Sequence, residues 1–137
     1  MDFHLTAEQT AFADSIRRFA MEQLAAGALE RAHSRDYPWD IARKLSKQGL
    51  LGITISEADG GVGGSLMDAV IAIQELALVC PKSADIVQAG NFGAIRTFAE
   101  YASPALKQRY LPALLSGERP FALGMSAPDA GSAVPGT

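Results

Sequence analysis

Two hydroxyls, a turn and free amides crowd the last stretch of this 137-residue chain. Ser126 follows the apolar run Pro120-Phe121-Ala122-Leu123-Gly124-Met125, and the period of that run is not helical. Pro128 stops any ladder, and Gly131-Ser132 adds backbone N–H groups and a second hydroxyl. A turn of this kind at a strand end can hold the polar edge of a heteroaromatic ring or a phosphate. The competing reading is a plain surface turn, and chemistry alone favours it.

The other candidates are weaker. Gly60-Gly61-Val62-Gly63-Gly64 looks at first like a phosphate loop. No Lys-Ser/Thr pair follows it, and a G-x-G-x-x-G spacing needs glycine where Leu66 stands. It reads instead as a structural turn before a capped helix. His4 and His33 have no ligand-spaced partners, so with the lone Cys80 they build no metal site. Serines are plentiful, but there is no G-x-S-x-G elbow and no setting for a triad. Glu57, Glu75 and Glu100 are scattered. Glu75 falls in an apolar helix, where it is either a buried acid or, the preferred reading, a solvated or arginine-paired carboxylate.

Caps and periodicity predict about five helices to position these groups. Over 7–31, Thr6 and Gln9 have capping-box spacing, and Phe12, Ile16, Phe19 or Ala20, and Leu24 form one apolar stripe beside solvated Arg17 and Arg18. Over 38–48, Pro38 opens and Gly49 closes a helix that buries Ile41 and Leu45, with Trp39 as a core anchor. Residues 50–55 read as a short extended stretch, and 56–64 as a loop. Ser65 caps a helix over 66–79 that is apolar nearly all round, which predicts a central position. A fourth helix covers 83–101. A fifth starts at Ser103-Pro104, is kinked or restarted by Pro112, and ends at Gly117. Residues 120–126 read as a β-strand and 127–137 as turns. One strand cannot satisfy its backbone without neighbours, which predicts a sheet supplied from beyond these residues.

Composition bounds the function. The chain is 48% apolar and 20% charged, as expected for a folded domain with one core. Twelve Lys+Arg against fifteen Asp+Glu leave no basic surplus for nucleic acid. No apolar run is long enough to span a bilayer, and Met1-Asp2-Phe3-His4 does not read as a signal peptide. The single Cys80 fits a reducing cytoplasm.

Taken together, the motifs resemble the acyl-CoA dehydrogenase family, its N-terminal helical domain and the opening of its middle β-domain. LTAEQTAFADSIRRFA is similar to the family's opening helix. KQGLLGITISEADGGVGGSLMDAVIAIQELA resembles its G-L-L-G…E-x-x-G-G-x-G stretch and the helix after it. KQRYLPALLSGERPFALGMSAPDAGSAV resembles its K-x-x-Y-L-P-x-L-x-x-G-E segment and the T-E-P-x-A-G-S-D flavin motif. Ala127 and Ala133 stand where that motif carries Glu and Asp.

The resemblance implies an all-α orthogonal bundle over 1–118, with a trailing β-strand that opens an incomplete β-domain over 119–137. It implies FAD, with Leu123 and Met125 flanking the ring, Ser126 bonding near N5, and Gly131 and Ser132 where the turn meets flavin, Ser132 also touching acyl-CoA. Residues 91–98 would line the acyl pocket. The implied reaction is α,β-dehydrogenation of an acyl-CoA thioester, with a catalytic carboxylate in the C-terminal domain and none assigned here. An electron-transferring flavoprotein would be the acceptor, and a dimer or tetramer the assembly. The alternatives are an acyl-CoA oxidase or flavin monooxygenase on the same scaffold, or a non-catalytic hetero-oligomer or interaction module.

Overall fold

The structure, a computed structural model, describes residues 4–124 and residue 128. Among them are seven α-helices: α1 (Ala7–Gln23), α2 (Ala28–His33), α3 (Trp39–Lys47), α4 (Leu66–Ala77), α5 (Pro81–Ala89), α6 (Ala94–Tyr101) and α7 (Pro104–Leu115). The all-α bundle is as expected, but two of the five predicted helices are each broken in two. The first breaks at Gly27, whose φ of 73° is left-handed, and Arg31 closes the break by donating to the carbonyls of Ala26 and Leu24. The fourth breaks between Gly90 and Gly93, where φ reaches 60°.

Two capping boxes start the elements that carry the core. Thr6 accepts from Gln9 N at the head of α1, and Ser65 accepts from Asp68 N at the head of α4. Ile16, Ala20 and Leu24 of the first stripe are buried, and α4 packs between α1 and α5. Arg17 crosses from α1 to grip Glu75 of α4 with two hydrogen bonds of 2.7 and 3.0 Å. The pairing reading of Glu75 therefore holds, and the carboxylate raises the Arg17 pKa further. Only one side of α4 is covered, through Ala69, Ile71, Ala72 and Leu76; Met67 and Val70 remain about half exposed.

Three local expectations need correction. Residues 50–55 are not extended but form a tight buried turn, because Gly52 takes a φ of 83°. Trp39 does not anchor the core. It is 37% exposed and lies against Tyr37, ring centroids 4.5 Å apart, while Ile41, Ala42 and Leu45 occupy the buried face of α3. Pro112 does not interrupt α7, which runs through it to Leu115. Gly117 follows with a φ of 75°, and a Cβ there would lie 2.8 Å from the carbonyl carbon of Ala42.

The trailing strand is not present among the described residues. Residues 120–124 are neither helix nor strand. Met125, Ser126, Gly131 and Ser132 lie outside the described residues.

The glycine cluster is the structural turn it was read to be. It folds back onto the 50–55 turn, with Val62 N donating to Gly52 O at 2.9 Å, Gly63 N to Ile55 O at 2.8 Å and Gly64 N to Ile53 O at 2.7 Å. These amides have carbonyl partners and cannot cradle a phosphate. Gly61 has no room for a side chain, because a Cβ would sit 2.5 Å from that of Ile55. We expect Gly61→Ala to cost about 2 kcal/mol by overpacking, read as a lower urea midpoint at constant slope. Asp59 ties this loop to α7 through Lys107 at 3.1 Å, and Lys107 and Ser56 hold its carboxyl below the ordinary carboxylate range. A depressed folded-state pKa adds stability above the ordinary carboxylate value that is lost as pH falls through the folded one. Lys107→Met should flatten that part of the acid-side stability profile.

Candidate functional site

Two elements that are adjacent in space but not in sequence build the centre of the site. The buried turn at 50–55 lies against the end of α5, and Asn91 locks them together. Its side-chain Nδ2 donates to Leu50 O and Val87 O, both at 2.8 Å, and its Oδ1 accepts from Thr54 N at 3.1 Å. Thr54 Oγ1 returns a bond to Asn91 O at 2.6 Å, and Gly52 N donates to Gly90 O at 3.0 Å. Asn91 is fully buried and every polar atom of its side chain is engaged.

A groove of about 170 Å3 opens beside this lock, between α5, α6 and α7. Leu51, Ile86, Ile95 and Leu114 form its buried walls, and Tyr37 and Arg119 bring polar groups to it. Burial pushes the Tyr37 phenol above its ordinary value, so at neutral pH it is an uncharged donor. Phe121 also lines the groove and packs on Phe98 at 5.2 Å, which in turn meets Tyr110 edge-on at 6.2 Å. The groove is lined mostly by apolar side chains, suited to a hydrocarbon group.

The expected pocket segment 91–98 divides between roles. Ile95 lines the groove, Asn91 is the lock, and Phe98 braces the tail. The sequence reading missed Leu51, Ile86 and Leu114; their only signal was an apolar residue beside a glycine or on a helix face. Leu123 leaves the groove at 64% exposure, and Gly124 has nothing within 4 Å of where a Cβ would stand. The other candidates, Met125, Ser126, Gly131 and Ser132, cannot be placed against it.

A larger hollow of about 590 Å3 lies near the heads of α1 and α4. Gln9 and Asp68 on its rim are already held by the capping boxes. Cys80 is buried; burial raises its thiol pKa, but the Ser83 hydroxyl and Arg31 more than offset this and leave it lowered. Among the described residues no helix is long and apolar enough to cross a membrane.

An all-α bundle with an apolar groove between α5, α6 and α7 defines the class: a helical domain. The family model for the acyl-CoA dehydrogenase N-terminal domain matches residues 6–118, and the chain belongs to that family. It is 39% identical to a 3-sulfinopropanoyl-CoA desulfinase of Paraburkholderia xenovorans over 96% of this chain and 34% of that protein. It is 33% identical to a short-chain-specific acyl-CoA dehydrogenase of Clostridium acetobutylicum, over 96% of this chain and 35% of that protein. A solved FAD complex of PigA superposes with a TM-score of 0.85 at 25% identity, covering 98% of this chain and 36% of that one. The chain thus spans about a third of the length of the relatives it matches.

Replacing Asn91 with Leu strands two carbonyls and an amide, at a cost of roughly 2–4 kcal/mol. Urea titration should show the loss, and amide exchange at Thr54 should accelerate.

Proposed function

We propose that this chain is the N-terminal part of an FAD-dependent enzyme that acts on a short acyl-CoA thioester, by α,β-dehydrogenation. The observation that carries the reading is the apolar groove walled by Leu51, Ile86, Ile95 and Leu114, in a chain of this family. The names of the two relatives, a short-chain dehydrogenase and a desulfinase of a three-carbon acyl-CoA, support a short acyl group.

In this reading residues 1–118 form the helical domain and 119–137 open a β-domain. The groove removes water from the acyl tail and fixes its direction, so that its α and β carbons arrive in one orientation. FAD, when bound, would supply the hydride acceptor. Leu123, 64% exposed, would lie against the flavin ring. Met125, Ser126, Gly131 and Ser132 would complete the contact, Ser126 as a hydroxyl donor and Ser132 reaching toward the thioester. The base that takes the α-proton is assigned to the part of the protein beyond this chain. An electron-transferring flavoprotein as acceptor, a dimer or tetramer as assembly and a cytoplasmic location, consistent with the single buried thiol Cys80, belong to the same proposal.

The 39% identity to a desulfinase favours one second reading, in which the same groove holds the acyl part of a sulfinated CoA thioester. Both are tested on the natural-length protein that carries this chain. Dehydrogenation predicts a flavin absorption spectrum and reduction of a dye acceptor by butyryl-CoA. Sulfite release from 3-sulfinopropanoyl-CoA, without dye reduction by butyryl-CoA, selects the second reading. A colourless protein, inert toward both thioesters with excess FAD, refutes the flavoenzyme assignment.

A further inference from the structure

We propose that the cleft between α1 and α3 is a binding site for a diphosphate-bearing ligand, separate from the apolar groove. The cleft has a volume of about 370 Å3 and shares no lining residue with the groove between α5, α6 and α7. Arg18 from α1 and Lys44 and Lys47 from α3 line it, and Glu22 is the one carboxylate among its lining residues. Three cations against one carboxylate leave the cleft positive, on a chain whose net charge is −3. The local sign is opposite to that of the molecule, and a cleft of one sign concentrates counter-charged ligands.

The helices direct these side chains to one place. Ile41, Ala42 and Leu45 occupy the buried face of α3, so Lys44 and Lys47, three residues apart, share its outer side. The C-terminal dipole of α3 favours both lysines at that end, but it does not account for Arg18 on the facing helix. Arg18 and Glu22 stand four apart on α1 with the cation first, the weaker order for an ion pair. Among the described residues none of Arg18, Glu22, Lys44 and Lys47 has a salt bridge. Cations that converge without a partner repel, and an anion seated among them removes that repulsion. Ser15 and Gln48 add a hydroxyl and a side-chain amide, donors suited to phosphate oxygens. The volume falls within the roughly 300–1,000 Å3 of small-molecule pockets, which favours a compact polyanion over an extended acidic segment of protein.

The test is calorimetric titration of the natural-length holoprotein with inorganic pyrophosphate. Saturable binding is expected, weakened by added salt because exposed charges are screened beyond about 8 Å at physiological ionic strength. Lys44→Ala and Lys47→Ala should each weaken it about tenfold, the loss of one charged hydrogen bond. Glu22→Gln, which removes the opposing charge, should tighten it. Arg35→Ala, an equal loss of charge at an exposed arginine that does not line the cleft, should leave it unchanged. All four side chains are exposed, so the variants keep the fold, which circular dichroism checks. A wild type that shows no saturable binding overturns the proposal, and so does an affinity that stays within twofold of wild type in both lysine variants. Binding of an oligoglutamate peptide without binding of pyrophosphate also overturns it, and makes the cleft a docking surface for an acidic chain.

Discussion

One primary amide organises the functional side of this domain. Asn91 has no regular secondary structure to satisfy, yet it is fully buried, and it supplies the hydrogen bonds that the 50–55 turn and the last turn of α5 cannot make for themselves. A buried turn is expensive because its backbone groups face no water. Without that side chain the turn would have to move outward to solvent, and Leu51 with it. The groove is therefore a consequence of polar satisfaction: the apolar wall stays where a hydrogen-bonded amide holds it.

The rest of the fold keeps that region rigid from both sides. The glycine cluster lies under the same turn and bonds to its carbonyls, and the close approach at Gly61 leaves no slack. On the far side α7 is fixed to α3 by Ser46 Oγ donating to Leu115 O at 2.7 Å and by the tight passage of Gly117 beside Ala42. The bidentate Arg17–Glu75 pair sets α1 on α4 and gives a buried carboxylate a partner, so a charge in the helical core has a structural explanation. The polar groups inside this bundle locate elements; those at the groove are Tyr37 and Arg119.

Much of this was legible in the sequence, for identifiable reasons. Capping boxes at Thr6–Gln9 and Ser65–Asp68 are local and survive in any tertiary context, so those helix starts could be read directly. The stripe Ile16, Ala20, Leu24 has the helical period and no competitor. The failures are places where tertiary contacts decide. Nothing local makes 50–55 a turn except Gly52, and an apolar run there looks like a strand until its bonds to Gly90, Asn91 and Gly64 are known. Trp39 reads as core by type alone, but its place at the first turn of α3 puts it on the rim. At the site the resemblance named the flavin motif and the 91–98 segment, while Leu51, although inside the quoted G-L-L-G stretch, becomes a groove wall only through the tertiary bonds of its turn to the end of α5.

The central claim is that the groove walled by Leu51, Ile86, Ile95 and Leu114, held by the Asn91 hydrogen bonds, takes the acyl part of a thioester. The most direct measurement is a crystal structure of the natural-length protein with a non-hydrolysable butyryl-CoA thioether. The account predicts the acyl chain inside the groove, in contact with its apolar walls, and the Asn91 hydrogen bonds unchanged. An acyl chain that lies outside this groove, or that enters it only by displacing the 50–55 turn, would contradict it.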